Sequence, residues 1–396
     1  MSSCALDLPA ARMLCALGLA ALAACGGGGG DGVSFPVGGG RPSESSATPV
    51  ATHAQLAFTQ LGSSFSYDCG IATDGRAWCW GMDEYGQLGS TATMSTCIDA
   101  TARCSAQPLL VETDQRFASV APTYGVGRTC ALTPAGEAWC WGNGIGGGLG
   151  DGSTTSRATP APVAGNLQFA FLKTSQDSSF ACAMGKDATI YCWGGAAHGM
   201  AGTGQAVASY LVPTPMAWGR RFVAFDLGEF HVCALTQEGD AYCWGSNWYG
   251  QVGIGDPGGQ GGSLDILVPT AVAGGHKFRA VATGSDTTCA LAQDGATWCW
   301  GIDTGTTPAS HPEPTLVPGA PAFSSIHAGF RHMCGLTQAG EAWCWGYGNP
   351  SGSSTTPVRV ATSVPFASLA DRPYCGLDTA GKAWCWGNND YHQLGY

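Results

Sequence analysis

Seven times along this chain a cysteine is followed, after nine intervening residues, by a second cysteine set inside an aromatic-Cys-Trp-Gly word. The pairs are Cys69/Cys79, Cys130/Cys140, Cys182/Cys192, Cys233/Cys243, Cys289/Cys299, Cys334/Cys344 and Cys375/Cys385. Six of the intervals place Gly six residues after the first Cys, and the third places Ala188 there. Upstream of each pair stands a Phe with an apolar residue three positions on, from Phe58/Leu61 to Phe366/Leu369. Earlier still comes a Pro followed by Val, Leu or Met, as in Pro49-Val50, Pro213-Thr214-Pro215-Met216 and Pro357-Val358. Units of about 50 residues that each hold four short strands are the size and strand count of propeller blades. The fold expected is therefore all-β, a β-propeller of seven four-stranded blades. With 61 Gly, 22 Pro and 11% charged residues, the chain is suited to tight turns and poorly suited to long helices.

The fourth unit fixes the hairpin register. If Cys233 faces Cys243, Thr236 faces Asp240, and the loop Gln237-Glu238-Gly239 ends on a residue that needs positive φ, where a bulge turn places Gly. Ladder parity then puts the two Cys at a non-hydrogen-bonded site, where side chains approach closely enough for a cross-strand disulfide. The aromatics flanking the second Cys share the face opposite the sulfur and are expected to pack between blades. The Pro-containing segment suits an outer edge strand, because Pro cannot donate to a central ladder. The chain stops at Gln393-Leu394-Gly395-Tyr396, after the third strand of the last unit, while Thr48-Pro49-Val50 is a spare edge strand at the start. That N-terminal fragment is expected to complete the last blade and close the ring.

The word Cys-Ala-Leu-Thr-x-x-Gly-x-Ala-Tyr-Cys-Trp-Gly at 233–245 is followed by Asn247 and Gly250-Gln251-Val252-Gly253. Gly86-Gln87-Leu88-Gly89 and Gln393-Leu394-Gly395 echo it. This pattern resembles the regulator of chromosome condensation repeat over about residues 47–396, and the resemblance implies a seven-bladed propeller. Units five and six depart from it, reading Gly301-Ile302-Asp303-Thr304-Gly305 and Gly346-Tyr347-Gly348-Asn349-Pro350, so altered rims are expected there. The resembling family includes exchange factors for small GTPases and secreted inhibitors of β-lactamases.

Residues 1–25 read as an export signal: Arg12 precedes an apolar run from Met13 to Ala24 that is too short to span a bilayer. Leu22-Ala23-Ala24-Cys25 resembles a bacterial lipobox, which makes Cys25 the expected lipidation site; ordinary cleavage leaving a free thiol is the competing reading. Gly26 after the Cys favours the outer membrane by the same resemblance. Residues 26–46, rich in Gly and Ser, cannot bury a core and are expected to form a flexible tether reaching roughly 25 Å. Residues 47–396 then form the propeller. The protein is expected to be exported, held at the bacterial envelope through the lipid alone, and monomeric.

In an exported chain, sixteen Cys in regular pairs read as disulfides: the seven pairs above plus Cys97 and Cys104, which lie in an insertion from Ser90 to Gln107. Zinc fits poorly, because the paired ligands are ten positions apart and the eight His follow no Cys/His pattern. His231 and His332, each two residues before a repeat Cys, read as hairpin packing. The Gly-rich stretch from Gly253 to Asp265 holds Asp256 and Asp265 but lacks the closely spaced carboxylates of a calcium loop. No cofactor or metal is expected.

The formal net charge is -11 with only 17 Lys plus Arg, which offers no basic field to a phosphate backbone and argues against nucleic acid. Two function classes remain. The first is a surface-anchored scaffold without catalysis that binds a protein, peptide or glycan, with Tyr85, Trp248, Tyr249 and Tyr391 as candidate rim anchors if blade packing does not bury them. The second is an enzyme assembled at the axis from Asp226, Glu229 and Asp286, or an inhibitor-like propeller that blocks a partner enzyme.

Overall fold

A Cys opposite a Cys across a three-residue turn recurs seven times, six of them with a Gly at positive φ and the third with Ala188 there, and each occurrence folds as a hairpin at the centre of its own sheet. The computed structural model describes residues 46–395 except 53–55, 93, 98–102, 124, 177, 217, 257–264, 303–309, 348–352 and 388. The chain divides into two units, Met1–Pro42 and Ser43–Tyr396. The expected export signal, Cys25 and almost all of the tether lie outside the described residues. So do the core of the Gly-rich stretch in unit four and most of the altered words of units five and six.

Seven antiparallel sheets form seven blades. Blade four is representative: Ala224–Leu227, His231–Leu235, Ala241–Ser246 and Asp265–Ala271 follow one another from the inner to the outer strand. In its central hairpin Cys233 pairs with Cys243 at a Cα separation of 4.2 Å, the short spacing of a non-hydrogen-bonded pair. Thr236 donates its backbone N–H to the Asp240 carbonyl at 3.0 Å, and Gly239 stands at φ +85°. The Gly of the Cys-Trp-Gly word is equally constrained. Gly245 has φ +102°, and a Cβ there would lie 2.4 Å from the Phe230 carbonyl oxygen. The pairing with the outer strand shifts register at this Gly, which bends the edge away.

Ser46–Thr52 pairs with Ala383–Gly387, so the N-terminal strand completes blade seven and joins the chain ends within one sheet. Blade one carries a fifth strand: Ser95–Thr96 pairs with Arg103–Leu110, and Cys97 is bonded to Cys104 beside that turn. The insertion therefore extends the sheet edge as a small stapled hairpin.

The core lies between blades. At every junction the disulfide face of one blade packs against the Trp face of the next: Cys69 and Cys79 with Trp141, Cys182 and Cys192 with Trp244, and around the ring to Cys375 and Cys385 with Trp80. The Trp after each second Cys is buried, whereas the aromatic before it is half-buried, farther from the centre of the interface. Four of the buried indoles donate Nε1–H to the preceding blade: Trp80 to Gln393 O (2.9 Å), Trp141 to Gln87 O (2.9 Å), Trp193 to Gly148 O (3.2 Å) and Trp244 to Met200 O (2.8 Å). The Gly-Gln-Leu-Gly word thus supplies the acceptor for the neighbouring indole, and its Leu88 or Leu394 is fully buried beside it. Apolar burial drives the association, and the hydrogen bonds set its register.

Candidate binding surface

In each blade the first-to-second and third-to-fourth strand connections emerge at one end of the sheet, and the candidate aromatic anchors belong to these connections. Their turns are built by side chains. Asn247 Oδ1 accepts the Val252 backbone N–H at 3.0 Å while Gln251 Oε1 accepts that of Tyr249 at 2.9 Å. Blade one does the same with Asp83 to Leu88 and Gln87 to Tyr85, and blade seven with Asn389 to Leu394 and Gln393 to Tyr391. The buried Gln holds a Tyr two positions earlier at the mouth of the turn.

Tyr85, Trp248 and Tyr249 are exposed at 37%, 50% and 39%, enough to contact a partner without rearrangement, whereas Tyr391 is half-buried. The ring divides these residues into two groups. Tyr391 and Tyr85 sit on the neighbouring blades seven and one, and exposed Phe65, from the first turn of blade one, meets Tyr391 edge-on at 6.2 Å. Trp248 and Tyr249 sit on blade four. There Trp248 stands edge-on to His198 (6.0 Å), which packs against Phe230 (5.0 Å) and holds the Asp265 carboxylate through Nδ1 at 3.1 Å. Asp265 is thereby engaged by blade three, and Asp256 supplies its backbone oxygen to Asn247 Nδ2. Exposed Ile145 and Tyr347 add to the same end of blades two and six.

At the axis, Asp226, Glu229 and Asp286 do not converge on one point. Asp226 accepts the Thr283 backbone N–H (2.8 Å) and hydroxyl (3.1 Å) and lies 3.8 Å from the Lys173 ammonium, which is 3.0 Å from Asp371. Burial opposes charge on Lys173, yet Asp371 and Asp226 hold its pKa above the ordinary value. Glu229 and Asp286 instead share the Ser285 hydroxyl, and burial raises the Asp286 carboxyl against that bond. Side chains cross the axis: Gln176 of blade three donates to Thr283 O (2.7 Å) and Gly329 O (3.2 Å), and Arg372 of blade seven donates to Thr174 O (3.0 Å). With Gln176 and Arg372 buried, the axis is occupied by structural hydrogen bonds.

His231 and His332 are buried in the hairpins. Burial lowers them to about 3 and about 4, so both are neutral, and His231 Nε2 meets the Thr288 hydroxyl at 2.8 Å. All sixteen candidate Cys are paired: Cys69–Cys79, Cys130–Cys140, Cys182–Cys192, Cys233–Cys243, Cys289–Cys299, Cys334–Cys344 and Cys375–Cys385 as the hairpin register requires, and Cys97–Cys104 within the insertion. Asp68 lies beside Cys375 and Cys385, but sulfurs joined to each other offer no thiolate to a metal.

Phe65, Phe230 and His198 carry no repeat signature and were missed in sequence. Each gains its place from a neighbouring blade. The only available cue was an aromatic or His in a turn next to a repeat word.

Models of the regulator of chromosome condensation (RCC1) repeat match residues 74–132, 222–251, 238–291 and 323–352. The Ultraviolet-B receptor UVR8 of Arabidopsis thaliana is 31% identical over 226 residues, covering 56% of this chain and 48% of that protein. The mouse E3 ubiquitin-protein ligase HERC2 is 28% identical over 185 residues, covering 46% of this chain and 4% of that protein. The matched region is thus about half or less of the length of these relatives. Among solved structures, human WBSCR16 superposes with TM-score 0.70 at 18% identity, covering 86% of this chain and 89% of its own. Prp20p from Saccharomyces cerevisiae superposes with TM-score 0.66 at 19% identity, covering 83% and 81%. Residues 74–132, 222–291 and 323–352 of this chain thus match the regulator of chromosome condensation repeat, and the chain shares its fold with these two solved structures.

Proposed function

We propose that the protein is a rigid binding module, displayed from the bacterial envelope by a lipid on Cys25, that holds a protein, peptide or glycan partner against the turn-bearing end of the ring. The observation that carries this reading is the set of exposed aromatics fixed at that end: Tyr85, Trp248 and Tyr249, each on a turn pinned by buried Gln and Asn or Asp side chains. Rigid aromatic anchors lose little conformational entropy on binding. Protein binding is also named for a solved structure of the same fold, Prp20p, described with its binding to Gsp1p and histones. The crossed side chains and charge pairing at the axis support a scaffold over an axial enzyme. The disulfides suit an extracytoplasmic site, and among the described residues no helix is long and apolar enough to cross a membrane.

Cross-linking on intact cells, run in parallel on the natural protein and a Trp248→Ala/Tyr249→Ala variant, tests the reading. A partner captured by the natural protein should be lost or weakened at least about tenfold in the variant, since anchors of this type commonly contribute 2 kcal/mol or more. Equal capture by both would rule out this rim as the binding surface.

A further inference from the structure

At five of the seven blade junctions the hairpin of one blade is tied to the first strand of the next by the same backbone bond. The carbonyls of Gly75, Gly136, Gly239, Gly340 and Gly381 accept the N–H groups of Phe117, Phe169, Phe278, Phe366 and Phe58 at 2.7 to 2.8 Å. The approach is close enough that a Cβ on Gly136, Gly239, Gly340 or Gly381 would come within 2.5 to 2.7 Å of the Phe carbonyl oxygen. Between blades three and four the hairpin residue is Ala188, at φ +63°, and among the described residues no hydrogen bond joins it to Phe222. The bond is also missing between blades five and six, but there the Arg279 guanidinium crosses the junction to the Phe323 and Ser324 carbonyls. At the hairpin end of the junction between blades three and four no side chain of the described residues makes such a crossing, and a groove lies there, at the end of the ring opposite the aromatic rim.

The groove is lined by Ile190, Met216, Trp218 and Phe222, with Arg220 and Arg221 exposed beside them. Trp218 is fixed, because its Nε1 donates to Ala201 O at 2.9 Å and its ring lies 4.3 Å from that of Trp244. Arg220 lies over the Tyr242 ring at 4.6 Å, and both Arg220 and Arg221 are exposed. The two are adjacent cations in a chain of net charge -11, and among the described residues neither makes an ion pair or a hydrogen bond. The carboxylate that lines the groove, Asp187, is occupied by the Thr189 N–H (3.0 Å) and the Tyr191 hydroxyl (3.3 Å).

We infer that this groove is a second binding site, for an acidic peptide whose carboxylates pair with Arg220 and Arg221 while an adjacent apolar side chain lies on Ile190, Met216 and Trp218. Two neighbouring guanidinium forks match carboxylates in extended chain, and the apolar floor demands a ligand that is not charged throughout. The site is independent of the aromatic rim and of any partner bound there.

Calorimetric titration of the folded chain, at low salt, with an end-blocked peptide of alternating Phe and Glu tests the inference, with the Phe-Gln peptide and dextran sulfate as comparisons. The Phe-Glu peptide should bind at least about tenfold more tightly than Phe-Gln, and Arg220→Gln/Arg221→Gln should remove that preference. Ala188→Gly, which leaves both cations in place, should weaken binding by letting the junction close. Trp248→Ala should leave it unchanged. Equal affinity for both peptides, no binding of Phe-Glu, or an undiminished affinity in the double Arg variant would overturn the site. Dextran sulfate binding without Phe-Glu binding would overturn the peptide assignment. Unchanged affinity in Ala188→Gly would overturn the account of how the groove opens.

Discussion

Ala188 is the one hairpin position where a side chain occupies a backbone region that six sister blades reserve for Gly, at φ from +78° to +94°. A methyl group in the left-handed region costs about 1 kcal/mol. Ala188→Gly should therefore raise the unfolding free energy by about that amount in denaturant titration, less the entropy that Gly adds to the unfolded chain. Asp68 is a second residue with a measurable signature. It is buried, accepts the Ser64 N–H at 3.0 Å, and lies 3.2 Å from Cys375 Sγ, which has no proton to give within a disulfide. Burial raises the Asp68 carboxyl well above its ordinary value, so the folded state keeps a proton that the unfolded state releases. Its contribution is then fully present below the unfolded carboxyl pKa of about 4 and lost as pH rises toward the folded value. Asp68→Asn should stabilise the protein relative to the natural chain at about pH 8, with the difference narrowing toward about pH 4; a pH-independent difference would show that Asp68 is not held protonated. Neither feature is equally visible in the sequence: the missing Gly at Ala188 can be read there, but the sulfur beside Asp68 comes from the opposite end of the chain.

At the scale of elements, the hairpin was legible because it is local. Cys spacing, the turn Gly and ladder parity together specify register, and Cys233 facing Cys243 with Thr236 opposite Asp240 follows from them. Closure was legible because a Pro-bearing edge fragment stood alone at the start of a repeat array that ended one strand short. Less legible was the small hairpin in blade one: Cys97 and Cys104 marked a stapled insertion, but not that Ser95–Thr96 would extend the sheet. Deleting residues 46–52 should leave Ala383–Gly387 as an open edge. Hydrogen exchange should then quicken at the amides of Ala383–Gly387 bonded to the lost strand, while the hairpins of blades three and four keep their protection. Uniform loss of protection would mean that the closing strand is needed for the whole ring to fold.

For the whole molecule, stability and binding are separated by direction. Disulfide and Trp faces alternate around the ring, so every junction uses the same apolar contact, and each staple inside a blade contributes roughly 2 to 3 kcal/mol by the chain-entropy model. The aromatics at the turn-bearing end lie outside this repeating core. Tyr85, Trp248, Tyr249 and Tyr391 could be named from sequence because each follows a Trp-Gly word in a loop expected to reach one rim. Their division into one group with Phe65 and another with His198 and Phe230 could not, since it depends on which blades become neighbours. The crossing of the axis by Gln176 and Arg372 was hidden for the same reason. Hydrogen exchange of the chain with and without its cross-linked partner tests the binding account most directly. New protection should be confined to the turn-bearing end, around Tyr85, Trp248 and Tyr249, with the outer strands unchanged; protection centred on the outer strands or on Asp226, Glu229 and Asp286 at the axis would contradict it.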